Sequence, residues 1–249
     1  MRVIRAIYFW VNFWTYTFLL FFKVLWIRFA DQRGKSPLSL SIACHEVACR
    51  WGKGVIRSTK GWSFEIKGEE NLDRTKPTVY VANHQSSVDI CALYTLNVQF
   101  RWLSKAEVFR IPIIGHAMRW AGYVGIARGS LASHKNALFK SAEWIQNGIS
   151  MVYFPEGSRS ADGSLGEFKS GAFRLAEQES VSVQPIVLQG TGDMMAKDAL
   201  STNPAHVTIE VLPREFKREE ESVEEFTLRV RDIFSKHLTG MKQKKTAHP

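Results

Sequence analysis

Cysteine is scarce in this chain, and neither its cysteines nor its histidines follow the spacing of a disulfide framework or a metal site. The 3 cysteines, Cys44, Cys49 and Cys91, form an odd set without the spacing of metal ligands. The 7 histidines do not cluster with acidic residues at ligand spacing. We therefore expect neither a disulfide framework nor a metal site. Reduced thiols in a cytosolic setting are the simpler interpretation.

Acidic residues are also in deficit, with 24 Asp and Glu against 33 Lys and Arg and a net charge of +9. This balance favours an anionic partner, which can be a membrane surface, a nucleic acid or an acidic carrier protein. The sequence has neither zinc-finger spacing nor the aromatic and basic pattern of RNA-recognition domains, so we expect no nucleic acid. The apolar share of 45% is enough for a sizeable core.

A long hydrophobic run is present at the N-terminus, where residues 6–22 carry no charge and residues 24–27 continue the run after Lys23. A spanning helix needs roughly 20 apolar residues, and the Trp and Tyr content is typical of the headgroup boundary. We predict membrane anchoring, with spanning and in-plane insertion both open. A cleaved signal peptide is the competing interpretation, weakened by bulky residues and the lack of a small-residue cleavage site.

A second helix is predicted to begin at Ser36-Pro37, with Ser as its N-cap and Pro in its first turn. It either forms a hairpin with the first helix on the bilayer or is an ordinary core helix. From residue 61 onward, apolar β-branched runs alternate with helical patterns. The fold class predicted is α/β, a mainly parallel mixed sheet covered by helices and preceded by the N-terminal membrane-associated helical hairpin.

The predicted organisation has three parts. Residues 1–60 form the N-terminal membrane-associated two-helix segment, 61–240 the α/β domain, and 241–249 a basic disordered tail. We expect a chain that begins near Gly61 to keep its α/β fold. The strands are predicted at 62–66, 78–82, 100–103, 123–127, 151–154, 185–188 and 207–212, and helices at 114–121, 132–147, 171–179 and from a capping box at Ser222.

A base and its orienting partner are predicted directly after the strand at 78–82. His84 stands at a strand-to-helix turn, where side chains face a cleft, and Asp89 follows five residues later. A histidine side chain can exchange a proton near neutral pH. A carboxylate that accepts its other ring N–H fixes the tautomer and stabilises the imidazolium. Alone this spacing is a weak signal.

Three further blocks stand at predicted strand ends. They are Lys105-Ala106-Glu107 with Pro112-Ile113-Ile114-Gly115 and Arg128, then Phe154-Pro155-Glu156-Gly157-Ser158-Arg159-Ser160, and Val183-Gln184-Pro185-Ile186. With Asn83-His84 to Asp89, these blocks in this order resemble the glycerolipid acyltransferases, most closely the bacterial 1-acyl-glycerol-3-phosphate acyltransferases. The resemblance covers roughly residues 60–190, and the hydrophobic N-terminus is also similar.

The resemblance implies an acyltransferase that moves a fatty acyl group from a thioester, acyl-ACP or acyl-CoA, to the free sn-2 hydroxyl of 1-acyl-glycerol-3-phosphate, giving phosphatidic acid. His84 then matches the general base and Asp89 its partner, with direct attack and no acyl-enzyme. Backbone N–H groups near the helix start at Val88 are candidate oxyanion donors. Residues that match acceptor or phosphate binding are Lys105, Arg128, Glu156, Gly157, Ser158 and Arg159. Ser86, Ser87 and Cys91 are interpreted as turn and packing residues.

Two alternatives stay open, an acyltransferase for another lysophospholipid or a lyso-ornithine-type lipid, and a non-catalytic membrane-binding module. The resemblance implies no cofactor besides the thioester co-substrate. The implied partners are lysophosphatidic acid in a membrane and the acyl carrier protein or coenzyme A thioester. The implied location is the cytoplasmic face of the inner (plasma) membrane.

Overall fold

Alternating strands and helices make up most of the chain, as the sequence predicts. The structure is a computed structural model that describes residues 2–30, 36–127 and 129–247, with the backbone alone for residue 2 and residues 241–247. The helices are α1 (Arg2–Ala30), α2 (Pro37–Ser58), α3 (Val88–Tyr94), α4 (Ile114–Trp120), α5 (Leu131–Gln146), α6 (Gly171–Gln178), α7 (Thr191–Met194) and α8 (Val223–Ala247). The strands are β1 (Trp62–Lys67), β2 (Val79–Ala82), β3 (Phe100–Lys105), β4 (Val124–Ile126), β5 (Ser150–Tyr153), β6 (Val183–Gln189) and β7 (Ala205–Val211).

The seven strands form one mixed sheet in the order β1-β7-β6-β2-β5-β3-β4. Strands β6, β2, β5, β3 and β4 are parallel, whereas β7 runs antiparallel to β6 and pairs in parallel with β1. The prediction of a mainly parallel mixed sheet is confirmed.

Helices cover both faces of the sheet. Side chains alternate along a strand, so Tyr80 and Ala82 of β2 join a core cluster with α1 to α4. Val79 and Val81 face the opposite cluster, which contains side chains of α5, α6 and α8. All four residues of β2 are buried, as a strand covered on both faces requires.

The connections place a cleft between β2 and β5. The chain leaves β2 through α3 toward β3, and it leaves β5 through α6 toward β6, which lies on the other side of β2. The carboxyl ends of neighbouring strands whose connections leave in opposite directions form the usual ligand crevice of an open α/β sheet. The predicted blocks after β2 and β5 both stand at this crevice.

Helix α2 belongs to the core of the α/β unit. Ser36 caps it by accepting the Ser39 N–H at 3.2 Å, as predicted. Its buried residues include Cys44, Val47 and Cys49, which join the same core cluster as α3. The packing thus favours the core-helix alternative for α2, because the predicted boundary at residue 60 cuts through one hydrophobic cluster.

Helix α1 packs against α2 on one side and exposes large apolar side chains on the other. Trp51 of α2 donates its indole N–H to Thr17 of α1 at 3.0 Å. Exposed side chains include Ile7, Leu19 and Trp26, which are 59%, 63% and 70% accessible. Within the described residues, one helix, Val3–Ala30, is long and apolar enough to cross a membrane, with a mean hydropathy of 1.3.

The C-terminal helix starts as predicted and ends later than predicted. Ser222 and Glu225 exchange hydrogen bonds in a capping box. Helix α8 then runs to Ala247, so the backbone of residues 241–247 is helical where the sequence predicted disorder. Lys, Gln and Ala are strong helix formers, and the single Gly240 does not offset them. Residues 248–249 lie outside the described chain.

Candidate active site

The imidazole of His84 pairs with the carboxylate of Asp89 in the first turn of α3. His84 Nδ1 lies 2.7 Å from Asp89 Oδ2, and the same oxygen accepts the N–H groups of Gln85 and Ser86 at 2.8 Å. A carboxylate oxygen accepts, so Nδ1 carries the hydrogen and the neutral ring keeps its lone pair on Nε2. The structure thus brings together the two side chains that the sequence singled out.

In the His84–Asp89 pair the carboxylate is buried, whereas one edge of the imidazole is accessible. Asp89 is fully buried, and its Oδ1 lacks a hydrogen-bond partner within the part of the chain that the structure describes. The His84 ring is 17% accessible, stacks on Phe154 with centroids 4.0 Å apart, and lines a large cavity. A hydroxyl that enters this cavity can reach the exposed edge of the ring.

Glu156 supports the backbone of His84 from the neighbouring strand end. One carboxylate oxygen accepts the His84 N–H at 2.8 Å and the other accepts the Gly166 N–H at 2.9 Å. Burial raises the pKa of this carboxyl, and the two backbone N–H groups oppose that shift. Both oxygens thus hold main-chain donors, which supports a positioning role for Glu156, and the substrate contact expected from the sequence stays a prediction.

Two more contacts fix the loop after β2. The His84 carbonyl accepts the Ser160 N–H at 2.8 Å. The Asn83 amide exchanges hydrogen bonds at 2.8 Å with both backbone groups of Leu188 in β6. The loops after β2 and β5 and the end of β6 therefore form one hydrogen-bonded unit around the imidazole.

Arg159 lies beside this unit with its guanidinium one-quarter accessible. Its Nη1 donates to Ser87 Oγ at 3.0 Å and its Nη2 lies 2.9 Å from Asp198 Oδ1. Lys105, at the end of β3, lines the same cavity as Arg159 and Ser158. Arg128, the remaining predicted cation, lies outside the described residues.

Three lysines that the sequence reasoning missed also line the cavity, namely Lys135, Lys169 and Lys197. None of them belongs to a motif, and a lone lysine is usually a solvated surface residue, so no sequence signal marked them. The predicted Gly157 has a φ of +70°, and a Cβ there would lie 3.0 Å from Lys169 Nζ. Glycine at this turn therefore leaves room for the lysine head.

The cavity itself extends far beyond these polar groups, with a volume of about 970 Å³. One part is lined by cations and His84, and another part by apolar side chains of the two N-terminal helices. The lining residues from α1 and α2 are Thr17, Leu20, Phe21, Val24, Cys44, Val47, Ala48 and Trp51. No pattern in the sequence indicated that these helices form part of the wall of the site.

The alternative nucleophiles are engaged or buried. Ser86 is fully buried and donates its hydroxyl to the Met195 carbonyl at 2.6 Å. Cys91 is buried, which raises the pKa of its thiol to about 12, so a thiolate is disfavoured. Across the described residues, no group of three or more His, Cys, Asp or Glu side chains is arranged to hold a metal ion.

The expected oxyanion donors near Val88 are largely occupied. The N–H groups of Gln85 and Ser86 donate to Asp89, that of Val88 to Ser86 Oγ, and that of Asp89 to the Ser86 carbonyl. These amides hold the loop in shape, so they are poor candidates for stabilising a developing negative charge.

Comparison with known proteins gives one family and one fold. A family model described as "Acyltransferase" matches residues 63–189. A chloroplast 1-acyl-sn-glycerol-3-phosphate acyltransferase of Arabidopsis thaliana is 45% identical over 61% of this chain and 42% of its own length. A protein of the same description from Chlamydomonas reinhardtii is 37% identical over 81% of this chain and 61% of its own length. The matched segments thus cover about half the length of these relatives.

The fold has a counterpart among solved structures. The crystal structure of the 1-acyl-sn-glycerophosphate acyltransferase PlsC from Thermotoga maritima aligns with a TM-score of 0.81 at 22% identity, over 96% of this chain and 97% of the other. At this identity the likeness concerns the fold, including the placement of helices before the sheet.

Proposed function

Because the chain belongs to the acyltransferase family, we propose that it transfers a fatty acyl group from a thioester to the free sn-2 hydroxyl of 1-acyl-glycerol-3-phosphate. The product is phosphatidic acid. The observation that carries this proposal is the cavity, which His84 lines together with a group of cations and with apolar side chains of α1 and α2. The activity of the relatives, 1-acyl-sn-glycerol-3-phosphate acyltransferases by description, supports the choice of lysophosphatidic acid as acceptor.

His84 acts as the general base in this mechanism. The acceptor oxygen attacks the thioester carbonyl carbon while its proton passes to His84 Nε2, and Asp89 stabilises the resulting imidazolium through Nδ1. Collapse of the tetrahedral intermediate breaks the carbon–sulfur bond, and the thiolate takes the proton back from the imidazolium. A thioester is already activated, so correct placement of the two substrates supplies much of the rate.

The acceptor's phosphate binds the cations at the polar end of the cavity. Arg159 can hold two phosphate oxygens with parallel hydrogen bonds, and Lys105 and Lys169 add point charges nearby. The acyl chains occupy the apolar part between α1 and α2, where water is excluded. The donor is an acyl thioester of acyl carrier protein or of coenzyme A, and an assay with each donor distinguishes the two.

We place the protein on a membrane, since the acceptor resides in a bilayer. The exposed apolar side of α1 meets the lipid, whereas its other side packs on α2 and lines the cavity. This arrangement lets an acceptor pass from the bilayer toward His84 without crossing water. The proposed location is the cytoplasmic face of the inner (plasma) membrane, and a chloroplast membrane is the alternative suggested by the Arabidopsis thaliana relative.

The decisive test is acyl transfer by the purified chain and by its His84→Ala variant. Wild-type protein is assayed with lysophosphatidic acid, another lysophospholipid and a lyso-ornithine lipid, each with both thioester donors. We expect lysophosphatidic acid to be preferred, and His84→Ala to lose activity by about 10²–10⁴-fold or more. Asp89→Asn should also lose activity heavily, because an amide N–H can stabilise the wrong ring tautomer.

The matched control is His206→Ala, which removes a half-exposed histidine from β7. We expect its activity to stay near that of the wild type. Near wild-type turnover by His84→Ala would refute the base mechanism, and transfer to the other acceptors alone would refute the choice of lysophosphatidic acid.

A further inference from the structure

Arg159 already holds a carboxylate of this chain. Its Nη2 lies 2.9 Å from Asp198 Oδ1 while Nη1 donates to Ser87 Oγ at 3.0 Å. Arg159, Asp198 and Ser87 all line the cavity. Side chains of the protein itself therefore already engage both terminal nitrogens of the guanidinium, which a phosphate could also use.

Asp198 stands in the segment between α7 and β7, which is attached to the rest of the protein on both sides of Asp198. The Met195 carbonyl accepts the Ser86 hydroxyl at 2.6 Å, close to the His84 loop. The Leu200 carbonyl accepts the Trp10 indole N–H of α1 at 2.9 Å. Asp198 is thus presented to the cavity by a segment tied both to the active-site loop and to α1.

The contact between Arg159 and Asp198 is weak enough to be exchanged. The Asp198 side chain is 74% accessible, and exposed ion pairs of this kind add little stability because water and salt screen them. The contact uses one oxygen and one nitrogen, whereas a phosphate can bind the guanidinium through two parallel hydrogen bonds. A phosphate that approaches Arg159 therefore offers it more than the carboxylate does.

We propose that Asp198 is a displaceable counter-ion that competes with the acceptor's phosphate for Arg159 and thereby sets the acceptor's affinity. The proposal rests on the proposed function, which assigns the phosphate to Arg159. When the site is empty, Asp198 neutralises Arg159 and keeps free anions from occupying it. When the acceptor enters, its phosphate displaces Asp198, and the side chain swings to solvent.

Asp198→Asn tests this competition with the smallest change. The backbone of Asp198 has a φ of +62°, a conformation that Asn tolerates about as well as Asp, so the fold is preserved while the charge is lost. Acyl transfer to lysophosphatidic acid in vesicles is measured for both proteins. We expect the acceptor KM to fall about two- to fivefold at unchanged kcat, the range set by exposed ion pairs.

Inorganic phosphate provides a second readout of the same site. As an inhibitor competitive with the acceptor, it should bind Asp198→Asn more tightly than wild type by a similar factor. The matched control is Glu219→Gln, which makes the same charge change at an exposed residue. Glu219 follows β7, and because β7 runs antiparallel to β6, the chain leaves β7 at the end of the sheet opposite the active site. That control should leave both constants unchanged.

The outcomes separate this inference from the proposed function. A raised acceptor KM in Asp198→Asn would show that Asp198 orients Arg159, and an unchanged KM would show an incidental contact; either result overturns the inference. Arg159→Ala is run in parallel. If it raises the acceptor KM while Asp198→Asn does not lower it, the phosphate site stands and only the competition fails. If Arg159→Ala leaves the KM unchanged, the assignment of the phosphate itself is wrong.

Discussion

At the scale of single residues, the positions with the largest influence on the site are those that hold His84 in place. Asp89 fixes its ring through Nδ1, and Glu156 fixes its backbone through the N–H. The carboxylates have similar chemistry but different tasks, because Asp89 meets the imidazole as well as main-chain donors, whereas Glu156 meets main-chain donors. This difference leads to different expectations for their amide variants.

Glu156→Gln should lower kcat more than it raises the acceptor KM. A glutamine amide has one oxygen and one NH₂ group, so either the His84 N–H or the Gly166 N–H loses its acceptor and faces another donor. Loss of a charge-assisted hydrogen bond costs about 1.5–3 kcal/mol, which here acts on the position of His84. We expect kcat to fall roughly tenfold or more. Steady-state kinetics with both substrates varied provides the measurement.

Glu167→Gln is the matched control for this substitution. Glu167 is exposed, follows Gly166 directly and carries the same charge as Glu156, so it should leave both constants near wild type. A rise in acceptor KM at constant kcat for Glu156→Gln would return Glu156 to the acceptor-binding role that the sequence motif suggested.

The residue scale also shows how far sequence patterns reach. The His84–Asp89 contact could be predicted because the two positions are five apart, across a short loop and the first helical turn. Asp198 could not be linked to Arg159 in this way, since 39 residues separate them. Their contact depends on how the segment after α7 packs on α1, and no local pattern encodes that packing.

At the scale of elements, α2 is held in the core by a buried hydrogen-bond chain. Tyr94 donates to the Tyr123 hydroxyl at 2.8 Å, and His45 Nδ1 lies 3.0 Å from that hydroxyl. His45 Nε2 lies 2.9 Å from the Val98 carbonyl, which can only accept. The ring is therefore neutral in the folded protein, with its hydrogen on Nε2 and Tyr123 donating to Nδ1.

The buried, neutral ring of His45 predicts a specific loss of stability in acid. Burial, assisted by the positive charge of Arg101, lowers the pKa of His45 from 6.5 to about 3. Between these values the unfolded chain binds a proton that the folded chain does not, so the free energy of unfolding falls as the pH falls below 6.5. The contribution lost by pH 5 is about 2 kcal/mol. At pH 7 the same group contributes almost nothing to the pH dependence.

His45→Gln should flatten this dependence, because it removes the titrating ring. We expect the loss of unfolding free energy between pH 7 and about pH 5 to shrink by about 2 kcal/mol relative to wild type, measured by denaturant unfolding in one detergent. His116→Gln, at an exposed histidine of α4, is the control and should keep the wild-type pH dependence. An equal acid sensitivity of His45→Gln and wild type would contradict a buried neutral imidazole.

The same element shows where hydrophobic periodicity is ambiguous. The apolar face of α2 was identifiable from its sequence, but such a face packs equally well on lipid or on protein. A polar side chain in that face decides between the two. His45 contacts the Tyr123 hydroxyl directly before β4 and the Val98 carbonyl before β3, so this face packs on protein. For α1 the long uncharged run was the more informative signal, and its outer side is indeed exposed.

At the scale of the whole molecule, the cavity makes the N-terminal helices and the α/β unit interdependent. Residues of α1 and α2 line it together with His84 and Arg159, and α2 shares the core cluster of α3. The number of strands, their positions along the chain and the placement of the motif blocks at strand ends could be predicted from alternation and motif order. The placement of α1 and α2 could not, because it arises from long-range packing that composition does not specify.

A variant that begins at Gly61 should therefore not fold cooperatively, in contrast to the expectation from the sequence. It lacks the buried α2 residues Cys44, His45, Val47, Cys49, Val55 and Ile56. Full burial of a large aliphatic side chain is worth about 1.5–3 kcal/mol, so Val47, Val55 and Ile56 alone correspond to roughly 5–9 kcal/mol. This loss is comparable with the whole stability of a domain, about 5–15 kcal/mol. Near-ultraviolet circular dichroism and thermal unfolding of the purified variant provide the measurement.

A variant that begins at Ser36 separates folding from membrane attachment. It keeps α2 with its N-cap and removes α1, so we expect it to unfold cooperatively, to stay in solution when vesicles are sedimented, and to lose acyl transfer because one wall of the cavity is gone. The full-length protein should sediment with the vesicles. Cooperative unfolding of the Gly61 variant would show that α2 is dispensable for the core, and full activity of the Ser36 variant would show that α1 is dispensable for the cavity.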